Sequence, residues 1–410
     1  MSRTGAFTLP RLTLSERAMT YYAALTTVGF YAVSAAPTPL YHYYQRLFHL
    51  SPLMVTVIFA AYSFSMLLAF LTVARLSDFL GRRPMILAAL VINALALLLF
   101  VVAESAAALI AARIVQGVAT GIAATTLGAT IMDTDPRNGS IYNSVTAFVG
   151  LTVGVLLAGA LLAFAPLPGQ LVYLVLLATT LLEILALVIL PETGERRPGA
   201  LAALVPHVSV PRPVRTVMLR LAPLNVASWA LGGFYFSLMP TLVAVATGIA
   251  SPFVGAAVVS VLLVIATVVV MALRQASAER LLFIAVLALG GGVAATLAGT
   301  ALQSVPVMMV GTAIAGIGFG TSFAGNLKKL LPLADPTDRA SLIAAFYIEN
   351  YLAYSLPAIA AGLLIPVLGL VTTAYLYGGV LIALAVLSLV AMAVENRRPA
   401  AADVCMARLG

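Results

Sequence analysis

The chain has 410 residues, 62% of them hydrophobic and 9% charged, against ~25% charged in an ordinary soluble protein, which excludes a string of soluble domains. The net charge of +8 does not indicate nucleic acid, because the basic residues form short clusters beside apolar segments, with no dense tract or interleaved aromatics; anionic lipid head groups fit them better. The single cysteine, Cys405, excludes an intrachain disulfide and a thiolate zinc cluster, and His42, His49 and His207 lack metal-ligand spacing, so no metal site is expected.

Twelve apolar segments follow one another at about 19–40, 53–75, 84–103, 107–131, 141–165, 171–191, 221–247, 253–273, 281–301, 305–327, 342–366 and 371–394. Each is roughly 18–25 residues long, enough to cross ~30 Å of hydrocarbon as a helix. Backbone groups in lipid are satisfied only in helices or closed barrels, and these runs are too long and apolar for barrel strands. The expected fold is therefore an all-α membrane protein of twelve transmembrane helices. Of the 22 Lys and Arg residues, 20 fall at the N-terminus, in the even-numbered gaps or in the C-terminal tail; Arg46 alone lies in an odd-numbered gap, and Arg113 lies inside a segment. Basic residues stay cytoplasmic during insertion, so both termini are expected in the cytoplasm of a multi-pass plasma-membrane protein, the inner membrane if the cell is bacterial. Arg11 and Arg17 ahead of an apolar run, with Ser34-Ala35-Ala36, imitate a secretion signal, but Pro37 follows directly and eleven segments come after, so span 1 is read as an uncleaved helix.

The segment 192–220, rich in Pro and Arg, divides the chain into a bundle at 1–191 and another at 221–394, with a tail at 395–410. The halves repeat. Ser34-Ala35-Ala36-Pro37-Thr38 matches Ser237-Leu238-Met239-Pro240-Thr241, Gly121 and Gly128 match Gly318 and Gly325, and Ala158-Gly159 matches Ala361-Gly362. Six helices repeated in one orientation are a parallel, two-bundle transporter arrangement. Pro37 and Pro240 are expected to break or bend the first helix of each half.

After span 2, Ala74-Arg75-Leu76-Ser77-Asp78-Phe79-Leu80-Gly81-Arg82-Arg83-Pro84 resembles the loop signature of the major facilitator superfamily, Gly-x-Leu-Ala-Asp-Arg-x-Gly-Arg-Arg/Lys, with Ala74 and Phe79 as departures. The resemblance implies two pseudo-symmetric six-helix bundles and a conformational latch made of Asp78, Gly81, Arg82 and Arg83, with Asp78 bonded to the N-terminus of span 11. In span 4, Leu109-x3-Arg113-x2-Gln116-Gly117-x3-Gly121 looks like the family's Arg-x-x-Gln-Gly motif. An arginine there costs at least ~2.5–3.5 kcal/mol, and a substrate anion, a carboxylate or a wet cavity must offset it. Gly117 and Gly121 admit a close helix neighbour. Gly150-x3-Gly154-x4-Gly159 in span 5 is similar to the family's antiporter motif, but lacks its Pro (Val155); a small-residue packing face explains the same glycines. The loop Arg274 to Arg280 is a worn copy of the first signature.

Glu183 and Glu349 are the carboxylates inside spans. Desolvation favours a protonated carboxyl, which makes Glu349 a candidate proton carrier, in a polar face with Asn350, Tyr351 and Tyr354. Glu183, on a helix the resemblance makes peripheral, is the second candidate. Many family exporters carry an acid in the first helix; here span 1 offers Tyr21, Tyr22, Thr26, Thr27, Tyr31 and Ser34. Arg113, Gln116, Tyr31, Tyr351 and Tyr354 are the candidates for lining a substrate cavity, which this mixture suits to a weakly polar or amphipathic molecule. Nothing resembles an ATP-binding loop or a nucleophile–base pair, so the expectation is a secondary transporter, not an enzyme, a monomer with no cofactor, driven by the proton motive force and exporting small organic compounds. Two alternatives stand beside it: symport of a sugar or organic acid inward, and a scaffold or sensor that no longer transports.

Overall fold

The computed structural model describes residues 16–396 apart from 74, 196, 201–203, 205, 207, 336 and 337, with backbone only at 213, 340, 395 and 396. Both termini, Cys405, His207 and the Ala74 departure lie outside the described residues. Those described form helices joined by turns and loops, with no strand among them. The order is α1 (Glu16–Ala35), α2 (Pro37–Leu47), α3 (Pro52–Val73), α4 (Ser77–Leu80), α5 (Arg82–Val101), α6 (Ala106–Thr134), α7 (Gly139–Phe164), α8 (Leu171–Leu187), α9 (Arg212–Ser237), α10 (Met239–Thr247), α11 (Pro252–Ala272), α12 (Ala278–Ala301), α13 (Val305–Leu330), α14 (Arg339–Leu368) and α15 (Leu370–Asn396). Ten of these are long and apolar enough to cross a membrane by length and composition, and α8 is a shorter apolar helix. With α1 and α2 as one broken crossing and α9 and α10 as another, the chain makes twelve passages. α9 begins at Arg212, nine residues before the expected start of span 7, because its first turns carry Arg212, Arg215 and Arg220 beyond the apolar stretch.

The helix ends follow local chemistry. Pro52 and Pro252 open α3 and α11, where a missing N–H costs nothing. The Ser105 and Ser277 hydroxyls accept from the amides of Ala108 and Arg280 at the starts of α6 and α12. The expected breaks occur: α1 ends at Ala35 and α2 starts at Pro37, while α9 ends at Ser237 and α10 starts at Met239, one residue before Pro240.

The internal repeat extends to single contacts. A Cβ added at Gly117 or Gly121 would strike the α3 backbone at Tyr62 and Met66; one added at Gly316 or Gly320, each 199 positions on, would strike α11 at Leu262 and Ala266. The equivalents of Gly117 and Gly121 are therefore Gly316 and Gly320. Gly318 and Gly325, the partners suggested by sequence, face α12 at Leu289 and Leu282. A two-residue slip turns a helix by about 200°, which moves a glycine to the opposite face. The other pairing holds: Gly159 abuts Ala256 of α11, and Gly362, 203 positions on, abuts Thr56 of α3.

The basic loops after α3, α6, α8, α11 and α13 share one end of the molecule, here called the basic end; Arg46 lies at the far end. At the far end the two bundles meet through α7 on α11 and α14 on α3, the crossings of Gly159 and Gly362. Phe164 and Phe253 add a ring contact at 5.7 Å. Large apolar side chains such as Leu68, Leu182, Val367 and Val380 are exposed on the perimeter, where lipid rather than water is their solvent.

Candidate functional site

Between the bundles lies a central cavity of about 170 Å³, with walls from α1, α3, α6, α7, α9, α13 and α14. Aromatics dominate it. Trp229 faces Tyr351 and Tyr354 at ring distances of 5.7 and 6.1 Å, and Phe59 meets Tyr354 at 4.8 Å. Tyr31, Tyr351, Tyr354 and Arg113 line the cavity. A larger cleft of about 1090 Å³ shares Ser144 and Phe323 with it and extends between α7, α11 and α13 to Arg274 and Lys328 at the basic end. The opposite flank is shut: α3 and α14 stay packed from Gly362 to the Phe70–Tyr347 ring pair, 4.6 Å apart, and the Tyr351 hydroxyl donates to Met66 Sδ at 3.1 Å.

The break in span 1 explains the Arg-x-x-Gln spacing. Pro37 has no N–H, so the Val33 carbonyl loses its helical donor. Gln116 Nε2 supplies one at 2.8 Å. One turn away, Arg113 Nη1 donates to the Ser34 carbonyl at 3.0 Å and to Gln116 Oε1 at 2.6 Å, and Nη2 donates to the Tyr41 hydroxyl at 2.9 Å. The Tyr62 ring lies 4.7 Å from Arg113 Cζ, a cation–π distance. Arg113 is 2% exposed, and its Nε has no partner. Gln116, a sequence candidate for the cavity wall, is not on it: it is fully buried behind Arg113 and holds the broken helix. In the second half Thr312 stands 199 positions after Arg113, and it shares a hydrogen bond with Tyr235 at 2.9 Å.

At the basic end, Gly81 adopts φ +94°, a left-handed value that suits glycine, and turns the chain into α5. Arg82 bonds Asp78 at 2.6 Å, the Ser77 hydroxyl, and Asp133 at the end of α6 at 2.9 Å. Arg83 Nη2 donates to the last carbonyls of α8, at Leu187 and Val188. The Glu192 carboxylate accepts from the amides of Arg82, Arg83, Thr193 and Gly194, capping α5. Asp78 thus pairs with Arg82 inside its own bundle, and no bond from it to α14 is present among the described residues. In this conformation, open at the basic end, these bonds tie α4, α5, α6 and α8 together within one bundle. The loop's worn copy keeps the tie with the charges exchanged, Lys329 of α13 bonding Glu279 of α12 at 2.6 Å.

The two membrane carboxylates stand apart from the cavity wall. Glu349 accepts from Asn225 Nδ2 at 3.0 Å; the same amide donates to Asn350 Oδ1 at 2.7 Å, and Asn326 donates to Asn225 Oδ1 at 3.1 Å. This chain of amides joins α9, α13 and α14. The expected polar face on α14 is therefore split: Tyr351 and Tyr354 face the cavity, while Glu349 and Asn350 join the amides. The Glu183 carboxylate rests on α1 at Gly29, whose lack of a side chain makes room for it, and the Tyr22 hydroxyl donates to the Glu183 carbonyl at 2.9 Å. Gly150 and Gly154 also face α1, at Val28 and Ala32.

The sequence matches the family described as Major Facilitator Superfamily over residues 23–294, more than half of the chain. The chain belongs to the major facilitator superfamily. Solved structures agree on the fold. A mutant form of the nucleoside transporter NupG has a TM-score of 0.71 at 11% identity, over 92% of this chain and 100% of that one. The human organic anion transporter MFSD10 (TETRAN) has a TM-score of 0.62 at 17% identity, over 92% and 100%. No curated protein matches the sequence. The chain is a multi-pass membrane transporter, not an enzyme.

Several residues of this superfamily member escaped the sequence reading. Trp229 and Phe236 stand seven residues apart on one face of α9 and both line the cavity; that spacing ahead of the Pro240 break was the available signal. Glu192, an acid at the start of a basic linker, and the amides Asn225 and Asn326 inside apolar spans were visible oddities, but their partners lie on other helices.

Proposed function

We propose that this chain is a secondary transporter that exports a small organic compound by alternating access, in exchange for protons. The observation that carries the reading is the central cavity, continuous with a cleft to the basic end and closed at the far end by the Gly159 and Gly362 crossings. Basic loops face the cytoplasm, so this state accepts substrate from inside. Rocking the bundles about the cavity would break the far-end crossings and close the cleft. The predominantly aromatic wall suits a compound with an apolar, ring-bearing body.

The coupling site in this reading is Glu349. Its amide chain ties α14 to the broken helix α9 and to α13, so a proton gained or lost there alters the bonds between three helices around the cavity. Glu183, against α1, is the second site. Everted vesicles with a pH-sensitive dye test the proposal: an exported compound collapses an imposed gradient, Glu349→Gln abolishes gradient-driven accumulation but spares downhill exchange, and Glu183→Gln has a smaller defect. Transport with no pH response, or uphill transport at the wild-type rate in Glu349→Gln, refutes the coupling.

A further inference from the structure

Arg113 is the one charged residue on the cavity wall among the described residues; Asp, Glu, Lys and His are absent from it. Among the described residues no carboxylate pairs with it. Glu349 is engaged by Asn225, and Glu183 lies against Gly29. The groups around the guanidinium are a carbonyl, an amide, a phenol and ring faces. These satisfy donors but leave the full positive charge. Nε–H is unpartnered, and Nη2 has a single partner for its two hydrogens. Nε and Nη2 form the edge that a carboxylate takes in bidentate pairing.

The fold does not require this charge. The second bundle keeps an equivalent broken helix with neutral groups, Thr312 at the place of Arg113 and the Tyr235 hydroxyl between Thr312 and Thr296. Gln116 alone supplies the donor that Pro37 removes. A cation kept in one half only, at the wall of the cavity between the two, offers its charge to an anion from outside the chain.

Resting on the central cavity as the substrate site, we propose that the substrate is a small aromatic organic anion, its carboxylate at Arg113 and its ring among Trp229, Tyr351 and Tyr354. The free space of about 170 Å³ lies below the ~300–1,000 Å³ of sites for drug-sized ligands, which points to a body of about one ring.

Trp229 is the only tryptophan in the chain, so its emission reports the cavity alone. Benzoate, benzamide and benzylammonium are titrated at neutral pH onto the purified full-length protein in detergent micelles. Benzoate is expected to bind at least about tenfold more tightly than benzamide, the scale of a charge-assisted hydrogen bond, and benzylammonium the weakest. Arg113→Gln should bring acid and amide to equal affinity; Arg113→Lys should keep a reduced acid preference, which controls for a misfolded Gln variant. Tighter binding of amide or ammonium, or no response of Trp229 to benzoate, overturns the anion assignment. Selective benzoate binding without vesicle transport would leave this site standing and refute only the transport reading; pH-driven transport without acid preference would do the reverse.

Discussion

Gln116 donates its side-chain amide to the Val33 carbonyl at 2.8 Å, the carbonyl that Pro37 leaves without a donor. Gln116→Leu should strand that buried acceptor, a loss of about 1–3 kcal/mol, read as a lower denaturation temperature in detergent. Pro37→Ala restores an N–H in the chain itself. In a Pro37→Ala background the Gln116→Leu loss should shrink by at least half. An equal loss in both backgrounds would show that the pair is not coupled.

The Arg82 side chain is 11% exposed, whereas those of Asp78 and Asp133 are 52% and 39% exposed. Water can solvate the acids if the arginine is removed, but not the arginine if both acids are removed. Asp78→Asn alone should cost about 0.5 kcal/mol, the scale of a screened surface pair. Asp78→Asn with Asp133→Asn should cost more than Arg82→Gln. The check is a denaturation series at matched expression, and the opposite order of the last two would refute the assignment of burial to Arg82.

Glu192 binds four backbone amides at the start of α5 and in the turn after it. Glu192→Ala should lose about 1–2 kcal/mol, as helix caps do, and expose the following linker to protease. Glu192→Gln, which keeps an acceptor, should lose less. Identical proteolysis rates for all three proteins would mean that the cap does not hold the linker.

Gly159 and Gly362 seal the far end, and a single added methyl group at either would strike the facing bundle. Overpacking costs about 1–3 kcal/mol, and it penalises only the state closed there. Gly159→Ala and Gly362→Ala should therefore shift the population towards the far-open state, about tenfold in the equilibrium. With Cys405→Ser and Leu151→Cys, a membrane-impermeant thiol reagent on the far side should label the cavity faster in either variant. Unchanged labelling would locate the seal elsewhere.

Much was legible without coordinates. Lengths and hydropathy determined twelve crossings, the distribution of Lys and Arg marked one end of the molecule, and Pro37 and Pro240 marked the breaks. Arg113 stood out because a cation in hydrocarbon is costly wherever its helix packs. Facing was not legible. A helix between lipid and a protein core is apolar all round, so the periodicity that points a soluble helix at its core is missing. For that reason Gly318 and Gly325 looked like the repeats of Gly121 and Gly128, when Gly316 and Gly320 make the equivalent contacts of Gly117 and Gly121. For the same reason Glu349 seemed to share a face with Tyr351 and Tyr354, and Gln116 to face a substrate. Only the packing of α6 on the broken first helix decided that Gln116 serves Val33, and only the packing of α9, α13 and α14 decided that Glu349 meets amides instead of the cavity. These choices depend on which helix lies alongside, at a separation of some eighty to a hundred and twenty residues in the chain, and local sequence carries no trace of it.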